Sequence, residues 1–205
     1  MLSFRTILPN TLELLKQLSQ QPEFKPMRLV GGTALALQLG HRQSIDLDFF
    51  STSPIDQDKI ISIFRQMGTC VINNQTKNIL QVDLNGIKVD VVDYSQYDWI
   101  DEPIYEEGLS LASAKDIAAM KINAIIGRGT RKDFVDLYVL LQHWSLKEIM
   151  TFYHTKYPDY SEYRALLSLT YFDDADQQSM PIMFIPDKWE DMKLTIINNV
   201  KQYQQ

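Results

Sequence analysis

The chain has 205 residues, enough for one domain or a domain with a lobe, and its 45% hydrophobic and 22% charged residues are an ordinary balance for a protein with a buried core. A net charge of -6, with an isoelectric point near 5.0, argues against holding nucleic acid by overall electrostatic attraction and leaves room only for a local basic patch. The single cysteine, Cys70, excludes an intrachain disulfide, and no stretch approaches the length of a membrane span.

In chain order, the opening "MLSFRTILPN" lacks the apolar centre of a signal peptide. With the lone cysteine, this leads to the expectation of a cytoplasmic protein with no membrane partner. Leu12, Leu15 and Leu18 share a helical face and predict a short amphipathic helix over 9–20. "MRLVG" reads as a strand ending at Gly31. "TALALQL" is a run of good helix formers that Gly40 stops. "IDLDFF" alternates as a strand does, with Ile45, Leu47 and Phe49 expected to face the core. Ser53-Pro54 predicts the start of a helix that ends near Gly68. "CVINN" predicts a strand, with Cys70 in the core. Asn85-Gly86 between two β-rich runs is a strong hairpin signal, because both turn positions need positive φ. The segment 98–108 reads as loop. Ser113 with Asp116, Thr130 with Asp133, and Ser145 with Glu148 each place an acid three residues after a helix cap. Three helices are therefore expected in succession, then two more over 161–172 and 186–202, with "DDADQQSMP" as a loop between them. The predicted class is α+β: a small mixed sheet with flanking helices over 1–108, then a helical lobe over 109–205.

The chemistry gathers early in the chain. Asp46 and Asp48 lie two apart in a strand and so project from one face. Asp90 lies on the second hairpin strand, on the face of Lys88 and Val92, where a neighbouring strand could bring it to them; Asp93 is its competitor. Side-by-side carboxylates repel and become stable together around a cation. Three oxygen donors suit Mg²⁺ or Mn²⁺, the ions of phosphoryl and nucleotidyl transfer. A strand that turns through Gly31 and Gly32 into a helix exposes N–H groups that attract phosphate, and Thr33 adds a hydroxyl. Taken singly, a Gly-Gly before a helix is also an ordinary tight turn, and an Asp-x-Asp is also a solvated strand face. The combination, with a third aspartate on a hairpin strand, is what points to a site.

Gly31-Gly32, a helix, Asp46-Leu47-Asp48 and a later strand aspartate resemble the nucleotidyltransferase fold of the DNA polymerase β superfamily. "GGTALALQLGHRQSIDLDFFS" resembles, more narrowly, the AbiEii/AbiGii group, the nucleotidyltransferase toxins of type IV toxin–antitoxin systems. The resemblance covers roughly residues 29–141. Many superfamily members carry Gly-Ser where this chain has Gly31-Gly32; here the hydroxyl comes one residue later, at Thr33. The family also carries a lysine on a helix followed by a basic-acidic motif, which "DIAAMKINAIIGRGTRKDFVDLYVLL" matches. Lys121 projects from an apolar sector, where it either snorkels to water or, as the resemblance implies, binds phosphate. Asp133 is either a helix-start acid or a site residue that orients Lys121 or binds substrate, and Asp136 is expected further out, near Lys132. Arg42 is a candidate to contact phosphate or pair with an aspartate, or else a surface residue. The resemblance implies Mg²⁺ or Mn²⁺, an NTP substrate, an RNA acceptor such as the tRNA 3′ end, and a separately encoded antitoxin. Two alternatives stay open: a module that binds nucleotide or partner without turnover, and an enzyme that adds AMP to a protein hydroxyl. His143 and His154 lack metal-ligand spacing, so no zinc site is expected. Tyr153, Tyr157, Tyr160 and Tyr163 either stack on bases or pack the helical lobe.

Overall fold

The computed structural model describes residues 1–205, which divide into two compact units: Met1–Asp98 with Glu102–Ala112, and Trp99–Asp101 with Ser113–Gln205. The first holds α1 (Pro9–Ser19), β1 (Met27–Leu29), α2 (Gly31–Leu39), β2 (Leu47–Ser51), α3 (Gln57–Met67), β3 (Cys70–Gln75), β4 (Ile79–Leu84), β5 (Ile87–Asp93), β6 (Ile104–Glu106) and β7 (Leu109–Leu111). Its seven strands form one mixed sheet in the order β3-β4-β5-β2-β1-β7-β6. β2 lies at the centre, parallel to β5 and antiparallel to β1. Alternation does what the pleat requires: Leu80, Val82, Leu84, Val89 and Val91 are buried on one face of β4 and β5, with Gln81, Asp83 and Lys88 on the other. The buried face packs with Leu47, Phe49, Ile60 and Phe64, and the Phe24 ring meets Phe49 edge-on at 4.9 Å.

The hairpin predicted at Asn85-Gly86 is present, with φ of 55° and 81° at the two turn residues. Four local readings are corrected. Helix α3 begins at Gln57, not at Ser53-Pro54, because the Asp56 carboxylate accepts from the Lys59 N–H and caps it. Ile45 is 55% exposed rather than in the core, since the ladder of β2 begins only at Leu47. Cys70 is partly exposed, at the start of edge strand β3. The segment 98–108 is not all loop: β6 and β7 form a hairpin around Glu107 and Gly108, at φ 54° and 78°, so the sheet runs past Gly108. A Glu-Gly pair lacks the Asn-Gly signature, and the hairpin joins the sheet where β7 pairs with β1.

The second unit holds α4 (Ala114–Gly127), α5 (Arg131–Leu140), α6 (Leu146–Lys156), α7 (Glu162–Ser168), α8 (Asp173–Asp176) and α9 (Trp189–Tyr203). Ser113 and Ser145 cap α4 and α6 through their side chains, and Ser145 with Glu148 forms a complete capping box. Thr130 precedes α5 as expected, but its hydroxyl turns to the Asp133 side chain instead. The helix predicted over 161–172 ends at Ser168, and the "DDADQQSMP" loop opens with the single turn α8. Tyr153 and Tyr157 are buried and pack together at 5.6 Å, whereas Tyr160 and Tyr163 are exposed.

Candidate active site

The parallel register of β2 and β5 places Asp48 directly opposite Asp90. Asp46 lies just before β2, two residues back along the chain and outside the ladder. Asp93, the competitor, falls opposite Ser51 rather than an aspartate, and its Oδ1 accepts from the N–H and hydroxyl of Ser95 in a local turn. Asp90 is 9% exposed. Its Oδ2 accepts from Gln81 Nε2 at 2.8 Å and pairs with Lys88 Nζ at 3.0 Å, while its buried Oδ1 has no hydrogen-bond partner. An unpartnered buried carboxylate oxygen is costly, and it calls for a cation or a donor.

Lys88, on the same strand face, belongs to this cluster. Partial burial works against its charge, but the bond to Asp90 and the charges of Asp90, Asp48 and Asp46 outweigh that and raise its pKa. No three His, Cys, Asp or Glu side chains are gathered around one point. The donor chemistry still fits a hard divalent ion: every candidate ligand is a carboxylate oxygen, and one of them, Asp90 Oδ1, is held buried with nothing bonded to it.

The glycine turn stands against these carboxylates. The Val30 N–H donates to the Asp48 carbonyl at 2.8 Å, which ties the end of β1 to β2. Gly31 then turns at φ +68°, and a Cβ there would lie 2.3 Å from Asp48 Oδ2. Both facts demand glycine: the left-handed backbone and the close approach of a carboxylate. The turn opens α2, whose N-terminus has no side-chain cap and no acid in its first turn. Its N–H groups and dipole are therefore disposed toward an anion.

Thr33 serves differently from the expectation. It is buried, its hydroxyl donates to the Asp46 carbonyl, and it lies 2.9 Å from the Ser44 hydroxyl. Its hydroxyl bonds the backbone that presents Asp46. Arg42 is 2% exposed, donates from Nη1 to the Gln43 carbonyl, and sets Nη2 where a Gly32 Cβ would come within 2.2 Å. A side chain at Gly32 would have to move the guanidinium that crosses it.

Lys121 and Asp133 form a second polar centre, inside the helical unit. Lys121 Nζ reaches Asp133 Oδ1 at 2.9 Å and Asp136 Oδ2 at 2.6 Å. Arg128 donates to both Asp133 oxygens, at 2.9 and 3.1 Å, and Thr130 adds its hydroxyl. Both aspartate side chains are fully buried. Burial opposes the Asp133 charge, but Lys121, Arg128 and Thr130 outweigh it and hold the carboxyl well below the usual range. Lys121 therefore does not snorkel, and Asp136 is buried rather than on the outer face. Two cations and two anions neutralise one another in a low-dielectric setting. A further buried pair, Lys156 with Asp116 at 2.8 Å, lies in the same unit, with Asp116 also accepting from the Ile100 N–H and the Ser113 hydroxyl. His154 pairs with Glu162 at 3.0 Å.

A mixed sheet that carries a glycine turn beside strand-borne aspartates is a nucleotidyltransferase fold, and solved structures share it. JHP933 from Helicobacter pylori matches with a TM-score of 0.57 at 17% identity, over 98% of this chain and 93% of that one. The nucleotidyltransferase toxin MenT4 from Mycobacterium tuberculosis matches with a TM-score of 0.52 at 17% identity, over 92% of this chain and 80% of that one. Identities this low speak to fold alone. Membership comes from sequence: residues 13–202 match the family described as nucleotidyl transferase AbiEii toxin, type IV TA system. An uncharacterised protein of Aquifex aeolicus is 35% identical over 181 residues, 85% of this chain and 86% of that one. The chain belongs to the AbiEii nucleotidyl transferase toxin family.

Proposed function

We propose that the protein transfers a nucleotidyl group from an NTP to an acceptor hydroxyl, with Asp46, Asp48 and Asp90 as the catalytic carboxylates. The observation that carries this reading is the register of β2 and β5, which sets Asp48 opposite Asp90 beside the uncapped glycine turn of α2. The N–H groups of that turn, at Gly31 and Gly32, would take the NTP phosphates, and Arg42 alongside would add positive charge. Asp46, Asp48 and Asp90 would hold Mg²⁺ or Mn²⁺, which when bound neutralises phosphate charge and favours the acceptor oxyanion. In the reaction the acceptor oxygen bonds the α-phosphorus as the bond to the bridging oxygen breaks. Pyrophosphate leaves with the electron pair, and the acceptor proton passes to the Asp90 carboxylate.

An RNA acceptor, the tRNA 3′ end among the candidates, follows from the family, as does a toxin role countered by an antitoxin in the cytoplasm. The acidic balance of the chain means that an RNA would be held by a local patch. A role for Lys121 and Asp133 on the transferring phosphate rests on the family resemblance; their ion pairs support a positioning role inside the helical unit. The register pairing of Asp48 with Asp90 favours catalysis over a binding module without turnover. The test is incubation with each labelled NTP, Mg²⁺ or Mn²⁺, total bacterial RNA and protein extract. Label in RNA that disappears with Asp46→Asn, while the variant keeps its fold by circular dichroism, supports the assignment. Label in a protein band moves the acceptor to protein, and undiminished transfer by Asp46→Asn defeats the carboxylate assignment.

A further inference from the structure

The open face of the sheet carries a row of polar residues in direct cross-strand register: Asn74 on β3, Gln81 on β4, Asp90 on β5 and Asp48 on β2. The row depends on a β-bulge. The β3–β4 register shifts between Ile72 and Asn74, so Asn74 rather than Asn73 falls opposite Gln81. Asn74 Nδ2 donates to Gln81 Oε1 at 3.2 Å, and Gln81 Nε2 donates to Asp90 Oδ2 at 2.8 Å. The two bonds define the amide: the carbonyl end faces Asn74 and the NH₂ end faces the carboxylate. Lys88, two residues before Asp90 on the same face, takes the same Oδ2 at 3.0 Å. Both donors thus act on one oxygen, and the other, Oδ1, is left buried and without a partner. Lys88 itself is 45% exposed at the side chain, so it can leave the carboxylate without a burial penalty.

We propose that Gln81 and Lys88 are positioning residues for Asp90: Gln81 fixes the carboxylate so that Oδ1 is presented to the site, and Lys88 is a resident counter-charge that a divalent cation displaces. This inference rests on the carboxylate reading of the site. It has a definite consequence for metal affinity. A cation that enters must outcompete the Lys88 ammonium for the charge of Asp90, and it meets Lys88 as a like charge beside the carboxylates. Removing the ammonium while keeping the stem should therefore tighten metal binding. Removing the Gln81 amide should loosen it, because Asp90 then has no fixed rotamer to offer.

The experiment is Mn²⁺ binding to the full chain, without nucleotide, by calorimetry and by the loss of the free-ion electron paramagnetic resonance signal. The parent is compared with Lys88→Met, Lys88→Arg, Gln81→Leu and Asp48→Asn, each checked for fold by circular dichroism. Lys88→Met should bind roughly threefold to tenfold more tightly, a range discounted for the solvent exposure of Lys88. Lys88→Arg, which keeps the charge, should stay at the parent affinity, and Gln81→Leu should bind more weakly. Parent binding that Asp48→Asn removes, together with an unchanged or weaker Lys88→Met, would overturn the inference and leave the carboxylate site standing. Parent binding that Asp48→Asn does not alter would overturn the carboxylate site itself, and the inference with it.

Discussion

Replacing Gly31 by alanine probes the closest approach in the site, and its cost separates into two parts. The backbone sits at φ +68°, where an L residue loses about 1–2 kcal/mol. The new Cβ would also stand 2.3 Å from Asp48 Oδ2 and 3.2 Å from its Cγ. Ordinary carbon–oxygen contact lies near 3.4 Å, so the oxygen must retreat by about 1 Å. Displacing a reacting group by that distance costs on the order of 100-fold in rate. Gly31→Ala should therefore lower NTP transfer about 100-fold while lowering the urea-derived stability by only about 1–2 kcal/mol plus the cost of moving the carboxylate. An internal control is available in Asp48→Ala. There the colliding atoms are gone, and the Asp48 Cβ would lie 3.5 Å from the new methyl, an ordinary contact. Only the backbone share should remain, so Gly31→Ala should cost less stability in the Asp48→Ala background than in the parent. Equal costs in the two backgrounds would refute the close-approach argument. Transfer at the parent rate by Gly31→Ala would refute the placement of the site.

Lys121→Met removes a cation from between two fully buried carboxylates and should destabilise the protein by about 3–5 kcal/mol in urea unfolding; parent stability with transfer abolished would instead make Lys121 a catalytic group. Asp133 titrates lower in the folded chain than its ordinary value of 3.8, so the stability it contributes is complete above that pH and is lost as pH falls below it. Asp133→Asn should accordingly show a shallower fall in urea midpoint between neutral and acid pH than the parent, and parallel pH profiles would contradict the ion-pair account. Lys156→Met leaves the Asp116 charge buried without its ammonium and should cost about 3–5 kcal/mol, part of which Asp116→Asn in the same chain should restore; no loss in the single variant would show that the pair is dispensable.

Much of the site was legible because its signals are local. A glycine turn opening a helix, an Asp-x-Asp that runs into a strand, and an Asn-Gly hairpin each follow from backbone geometry within a few residues. The sequence alone therefore determined the α+β class, the Gly31-Gly32 turn, the hairpin that carries Asp90, and the family to which the chain belongs. Pairing between distant strands and helices decided the rest. Only the parallel β2–β5 register set Asp90, and not Asp93, opposite Asp48, and only the β3 bulge brought Asn74 into line with Gln81. Thr33 could not be told from a phosphate donor until the Asp46 carbonyl was found above its hydroxyl. Asp136 looked solvent-facing because helical spacing shows a residue's neighbours on its own helix but not the helix that packs against it; the Lys121 ammonium on α4 is what makes its burial tolerable. Lys88 escaped notice for the same reason. Its partners are one carboxylate two residues away, Asp48 on a strand that pairs with its own only in the folded sheet, and Asp46 just before that strand. Local chemistry is written in the chain, but a charge acquires its role from the partner that tertiary pairing brings to it.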